Sequence, residues 1–477
     1  MLSSLIVVPF LSIMILNLPF TKNLHRVALW WAFILFVGQA ILACFLPFSP
    51  VFKVFSIPGV LFHFNLKLDS LSILMLLCIG IVSAIALSLG MHLVKDQRRR
   101  FNFINLLLFT FTGMNGVVLV NDIFSLYIFI EITAVASYIL IAFDKDLKAL
   151  SAVFKYIVLS VVATILILLS VALLLMVCGD TKFDAISAAL KNSSHVYFIM
   201  FAIGMFMCGL FIKAGVVPFH GWLPDAYTHA PASTSVLLAG IVTKILGVYT
   251  LIRIVGTVFF ADASINFILL LVGTISIVLG ALIALGQNDF KRMLSYSSIS
   301  QVGYILLGLG CGTPLGLAAS AFHLFNHAIF KTLLFVNSAA LEEKLGTRDM
   351  ERMGGLSKNM PLTGLTSAIG SLSAAGMPPL AGFWSKLMII MALWLSGHYV
   401  YTAIAVLASV LTLAYLLSMQ RQVFFGKLKQ DLAQIKEVSS GLAFVQIVLA
   451  AITVGVGLIF PFILNTFILP LKHIAAG

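Results

Sequence analysis

Fourteen stretches of this 477-residue chain are apolar over enough residues to cross about 30 Å of hydrocarbon at about 1.5 Å per helical residue. We read the first seven as Ser3 to Leu18, Ala28 to Phe45, Leu68 to Leu93, Phe103 to Val120, Ile123 to Phe143, Val153 to Cys178 and His195 to about Trp222. The other seven are Thr234 to Phe260, Ile265 to Gly286, Leu294 to Cys311, Leu315 to Leu341, Leu362 to Leu395, Val400 to Phe425 and Leu442 to Leu469. Barrel strands would be shorter and would alternate apolar with polar residues, so the pattern predicts an all-α polytopic membrane protein. With 61% hydrophobic and only 10% charged residues, no polar segment is long enough for a soluble domain. The largest loops, Pro47 to Lys67 and Glu342 to Pro361, hold about twenty residues each. The first apolar run lacks a charged region and a small-residue cleavage site, and is expected to stay as a retained span.

A net charge of +12 raises the question of nucleic acid, but the placement of the charges points to a membrane instead. Eighteen of the 29 lysines and arginines fall in odd-numbered loops, among them Lys22, Arg98 to Arg100, Lys291, Arg292 and Arg348. Six, Lys53, Lys67, Lys182, Lys191, Arg253 and Lys472, fall in even-numbered loops or the tail. The positive-inside rule then puts the odd-numbered loops in the cytoplasm and both termini on the other side.

Five lysines remain, Lys155, Lys213, Lys244, Lys331 and Lys386, all inside predicted spans. Of the seventeen acidic residues only Glu131 lies deep in one. A charge near the midplane costs about 2.5 to 3.5 kcal/mol even on the lenient insertion scale, so it must be paired, hydrated or neutralised. Pairing lowers a glutamate pKa and raises that of its lysine, whereas desolvation pushes each the other way, a balance suited to releasing a proton. His323, His327 and Lys331 recur every four residues and share one helix face, where imidazoles titrating near neutrality suit a relay. The plain alternatives are that Lys155, third in its span, snorkels to the interface, that His323 is a helix-contact residue, and that the other charges pair structurally.

Two spans are broken. Pro218 and Pro224 interrupt the seventh, and Gly376-Met-Pro-Pro-Leu-Ala-Gly382, with Pro378 and Pro379, interrupts the twelfth. An offset of five spans makes the two cross the membrane in opposite directions, as in an inverted repeat. Spans four to eight (residues 103–260) would match spans nine to thirteen (265–425), with three helices before them (1–93) and one after (442–469), all in a single integral-membrane domain. Each repeat carries a lysine by its break, Lys213 or Lys386.

The chain resembles the antiporter-like subunits shared by respiratory complex I, membrane-bound hydrogenases and Mrp-type cation/proton antiporters. The resemblance runs over nearly its whole length. It is carried by Lys213-Ala-Gly-Val-Val-Pro-Phe-His-Gly-Trp-Leu-Pro-Asp-Ala226 with Ala230-Pro-Ala-Ser-Thr-Ser235, and by Lys291-Arg-Met-Leu-Ser-Tyr-Ser-Ser-Ile-Ser-Gln-Val-Gly-Tyr304. His327-Ala-Ile-Phe-Lys-Thr-Leu-Leu-Phe335 and Gly376-Met-Pro-Pro-Leu-Ala-Gly-Phe-Trp-Ser-Lys386 complete it. It implies about fourteen helices in two inverted five-helix repeats, discontinuous helices 7 and 12, and protons conducted along a hydrated axis. It also implies that Glu131 and Lys213 form a regulatory ion pair and that Lys244, His327, Lys331 and Lys386 continue the path. Protons would reach Lys213 or Lys244 from the cytoplasm and leave near Lys386. One branch carries Glu where Lys386 stands, so the chain looks closer to the branches with lysine there. The long C-terminal amphipathic arm of the largest complex I member is lacking, which argues against that identity, and Tyr127 to Tyr138 and Met353 to Pro361 resemble the hydrogenase and Mrp branches most.

The five cysteines lie apart in apolar spans, so no zinc, iron–sulfur or haem spacing is present, and neither a metal nor another cofactor is expected. The run Gly308, Gly310, Gly312 closes an apolar helix instead of following a strand, which argues against a nucleotide loop. The expected role is proton translocation, with no catalytic centre of its own, in the prokaryotic cell membrane within a redox-driven complex of several membrane subunits. A Na+/proton antiporter subunit and a non-conducting scaffold are the alternatives.

Overall fold

The computed structural model describes residues 2–18, 25–46, 65–192, 195–259 and 262–470. Lys22, Lys53, Lys472 and most of the loop from Pro47 lie outside them. The described residues are almost wholly helical and form no strands beyond isolated bridges such as Leu66 with Val120. Among the described residues, eleven helices are long and apolar enough to span a bilayer. Three of the fourteen expected spans fall short for separate reasons. Ser4–Leu16 has only 13 residues. Phe290–Gly310 is long enough but rich in serine. The twelfth is two helices, Pro361–Ala375 and Ala381–Leu395, of 15 residues each.

Short polar residues set where helices begin. The carboxylates of Asp69, Asp96, Asp122, Asp146 and Asp289 each accept a backbone N–H of the first turn that has no partner inside the helix. Thr313 does the same ahead of Pro314, whose missing N–H is harmless at the first helical position.

The helices form two compact units. Among the described residues, the first comprises those up to Gly215 together with Ile241–Asp262, and the second Val216–Gly240 and those from Ala263 onward. In the first, Leu147–Cys178 packs on Val196–Ala214, and Gln97–Leu119 on Ile123–Ile141. In the second, Pro314–Leu345 is the central helix, buried from Gly316 to Leu341 and surrounded by Phe290–Gly310, Pro361–Ala375, Ala381–Leu395 and Ser440–Leu458. Leu147–Cys178 instead leaves Phe154, Val161, Ile165 and Leu169 exposed, an apolar face suited to lipid or to another membrane helix. Lys155 lies on that exposed surface.

Arg253 corrects the loop count. It lies within the helical span Ala232–Phe259, is 4% exposed, and pairs with Asp69 through both of its terminal nitrogens, one at 2.8 Å. It also donates to Tyr249 Oη, which donates to the carbonyl of Val118. Burial pushes the Asp69 carboxyl up, but the charge and hydrogen bonds of Arg253 outweigh it and hold the pKa at about 2.

Candidate functional site

In the first unit, Glu131 stands midway along Ile123–Ile141 and Lys213 in the last turn of Val196–Ala214. Lys213 is 1% exposed, and its Nζ lies 2.8 Å from Glu131 Oε1, 2.7 Å from Ser160 Oγ and 3.3 Å from Thr164 Oγ1. An ammonium has three protons to donate, and all three have acceptors here. Thr164 Oγ1 also lies 2.7 Å from the same carboxylate oxygen. The Glu131 side chain keeps 25% of its surface exposed, so the pair joins a buried cation to a carboxylate at the edge of the unit. Ser160 and Thr164 were not singled out from sequence. Their spacing of four on an otherwise apolar span was the available signal.

Lys244 belongs to the same unit and is 1% exposed. It opens a π-helical stretch, Lys244–Tyr249, in a helix that widens into π geometry at three places. Gly247 lies in that stretch, where a Cβ would overlap the backbone of Ala214, the residue after Lys213. The missing side chain lets the Lys244 helix meet the end of the Lys213 helix backbone to backbone.

The second unit holds His323, His327, Lys331 and Lys386, all buried. The rings of His323 and His327 are nearly parallel with centroids 6.4 Å apart, one turn along the central helix. His323 Nδ1 is 2.9 Å from Ser385 Oγ, the neighbour of Lys386, so the histidine face reaches the helix that carries Lys386. Lys331 donates to the Leu294 carbonyl at 3.0 Å and to Ser297 Oγ at 2.7 Å, and Ser297 meets Tyr415 Oη at 2.7 Å. Lys386 Nζ lies 4.4 Å from the centroid of the Tyr304 ring and 3.3 Å from the carbonyl of Ala375. Ala375 ends the helix before the break, so the ammonium meets both a π face and the negative end of a helix dipole. Tyr304, Ser385 and Ser297 were missed as partners because nothing in a linear pattern shows which helix they face.

Both breaks have the same local form. Gly215 and Gly376 end their helices in the left-handed region, at φ 67° and 89°, a conformation that suits residues without a Cβ. Three residues on, Pro218 and Pro379 follow cis peptide bonds. Pro378 immediately precedes the second of these bonds. Pro224 lies away from the break, in the first turn of Trp222–His229, where a proline costs no helical hydrogen bond. Among the described residues, no group of three or more His, Cys, Asp or Glu side chains could hold a metal ion.

The family described as NADH:quinone oxidoreductase/Mrp antiporter, TM, matches residues 120–412. This chain belongs to that family. It is 31% identical to a Na(+)/H(+) antiporter subunit of Alkalihalophilus pseudofirmus over 83% of its own length and 80% of that protein. It is 35% identical to an NAD(P)H-quinone oxidoreductase chain 4 of Synechococcus sp. over 78% of its length and 71% of that chain. Among solved structures, a chain of the Mrp complex from Dietzia sp. superposes with a TM-score of 0.91 at 26% identity, covering 99% of this chain and 97% of that one. A polytopic helical membrane protein of this family is therefore what the sequence encodes.

Proposed function

We propose that this family member is the proton-translocating membrane subunit of a larger, redox-driven complex in a prokaryotic cell membrane, working beside other membrane subunits. The observation that carries the reading is the coordination of Lys213. A buried ammonium whose three donors rest on one carboxylate and two hydroxyls stays charged while Glu131 is near, and loses its main support when that carboxylate is neutralised or drawn away. The partial exposure of Glu131 lets a charge on a neighbouring subunit act on it. Lys213 and Lys244 would then handle protons in the first unit, and His323, His327, Lys331 and Lys386 in the second.

The finer architecture belongs to the same proposal. The eleven clear spans, the short Ser4–Leu16, the serine-rich Phe290–Gly310 and the broken pair make fourteen crossings. The matching breaks beside Lys213 and Lys386 support two inverted repeats at residues 103–260 and 265–425. With Arg253 and Arg421, both inside helical spans, taken out of the count, seventeen basic residues remain on the odd-numbered side against five, which favours termini facing away from the cytoplasm.

The second reading is a Na+/proton antiporter subunit with no redox partner, favoured by the likeness to the Alkalihalophilus antiporter protein and to the Mrp complex. Proton uptake into inverted vesicles holding the assembled complex separates the readings. Uptake driven by an electron donor supports the redox pump. Uptake or release that follows an imposed Na+ gradient alone supports exchange, and a complex that moves no protons under either leaves only a scaffold.

A further inference from the structure

The second unit contains another line of buried polar side chains, away from the histidine face. Glu437, partly exposed in the loop before Ser440–Leu458, accepts the Thr363 hydroxyl at 2.6 Å through Oε1. Its Oε2 accepts the backbone N–H of Leu362 at 2.9 Å. Gln446 Nε2 lies 3.3 Å from Thr363 Oγ1 and donates at 2.8 Å to Asn337 Oδ1, which also accepts Thr366 Oγ1 at 3.1 Å. Thr363, Gln446 and Asn337 are all fully buried. Asn337 is on the central helix, and its neighbour Ser338 is seven residues beyond Lys331, on the same face and about 10 Å along the axis.

Three atoms at the inner end of this line, Asn337 Nδ2, Ser338 Oγ and Gln446 Oε1, have no protein hydrogen-bond partner among the described residues although they are buried. A network that served only to join helices would be expected to satisfy itself, because an unpaired polar atom in a low dielectric is costly. Buried groups left with both donors and acceptors are the usual lining of internal water.

We propose that Glu437, Thr363, Gln446 and Asn337 line an access branch that carries protons between the aqueous surface and Lys331. The proposal rests on the proton-translocating reading above. Glu437 takes a proton from bulk water at the mouth. The Thr363 hydroxyl and waters held by Gln446, Asn337 and Ser338 relay it, and a neutral Lys331 amine accepts it. The amides position water and do not themselves change protonation. The mouth lies in the loop that holds Lys427, Lys429 and Lys436, one of the basic odd-numbered loops.

The test is the initial rate of proton uptake per assembled complex in inverted vesicles, comparing wild type with Gln446→Leu, Asn337→Leu, Gln446→Glu and Thr453→Val. In the leucine variants the Thr363 hydroxyl keeps Glu437 and the Thr366 hydroxyl keeps the Thr363 carbonyl, and subunit content after solubilisation confirms equal assembly. Uptake should fall roughly ten-fold in both leucine variants, as an interrupted relay requires. Gln446→Glu, similar in size and still polar, should keep most of it. Thr453, whose hydroxyl is already satisfied by Leu449 within the same helix, should tolerate valine. Normal uptake in both leucine variants would overturn the branch while leaving the wider reading standing. Equal losses in Thr453→Val and Gln446→Leu would overturn it as well, by tracing the effect to packing. A wild-type complex that moved no protons would instead remove the reading on which the branch rests.

Discussion

At the scale of single residues, the chemistry concentrates on charges that apolar helices normally exclude. Lys213→Ala leaves Glu131 without its cation, and Glu131→Ala leaves a buried ammonium on two hydroxyls, so each should remove most coupled proton movement. Uptake assays on vesicles with equal amounts of assembled complex check both. Ser160→Ala should act more mildly than Lys213→Ala, since it removes one of three acceptors and keeps the ion pair. Lys155→Ala should change uptake little, as expected of an exposed side chain that snorkels, and a loss as large as that of Lys213→Ala would show otherwise. These intramembrane charges were legible in the sequence because hydropathy isolates a lysine from its apolar neighbours. Their partners were not. Ser160, Thr164, Ser297 and Tyr304 are ordinary residues of membrane helices until packing shows what they face.

At the scale of elements, the two broken segments and the π-rich helix place the lysines. Proline and glycine announced the breaks, although Pro224 fell in the first turn of the following helix, because a proline there mimics a break in sequence without making one. The π geometry around Lys244 left no mark in composition. Gly247 is the position where it meets the Lys213 helix, and Gly247→Val should separate the two helices. We expect less assembled complex in the membrane, measured by subunit content after solubilisation, and lower uptake per complex in what remains. Arg253 was counted with an even-numbered loop although the expected span Thr234 to Phe260 runs through it, and the structure buries that arginine against Asp69. The folded carboxyl at about 2 lies below its free value of about 3.9, so this pair's contribution to stability is complete only above about pH 5 and is lost as pH falls through 2. Asp69→Asn leaves the guanidinium buried without its counter-charge and should destabilise the subunit by roughly 3 to 5 kcal/mol. Thermal unfolding in detergent at neutral pH checks this, and a variant as stable as wild type would show the pair to be dispensable.

For the whole molecule, all-helical membrane architecture could be read from apolar run length alone. A count of fourteen depends on crossings that length and hydropathy judge poorly: one helix of 13 residues, one rich in serine and one cut in two. Two compact units each hold one buried lysine beside a helix end, Lys213 in the first and Lys386 in the second. The exposed apolar face of Leu147–Cys178 and the edge position of Glu131 are where the subunit would meet lipid or a neighbour. The central claim is that the Glu131 and Lys213 pair controls proton passage. It is tested most directly by the initial rate of proton uptake into inverted vesicles carrying wild-type, Glu131→Ala or Lys213→Ala complex, normalised to assembled complex. We expect both variants to lose most of the uptake with assembly intact, whereas near wild-type rates in both would contradict the claim.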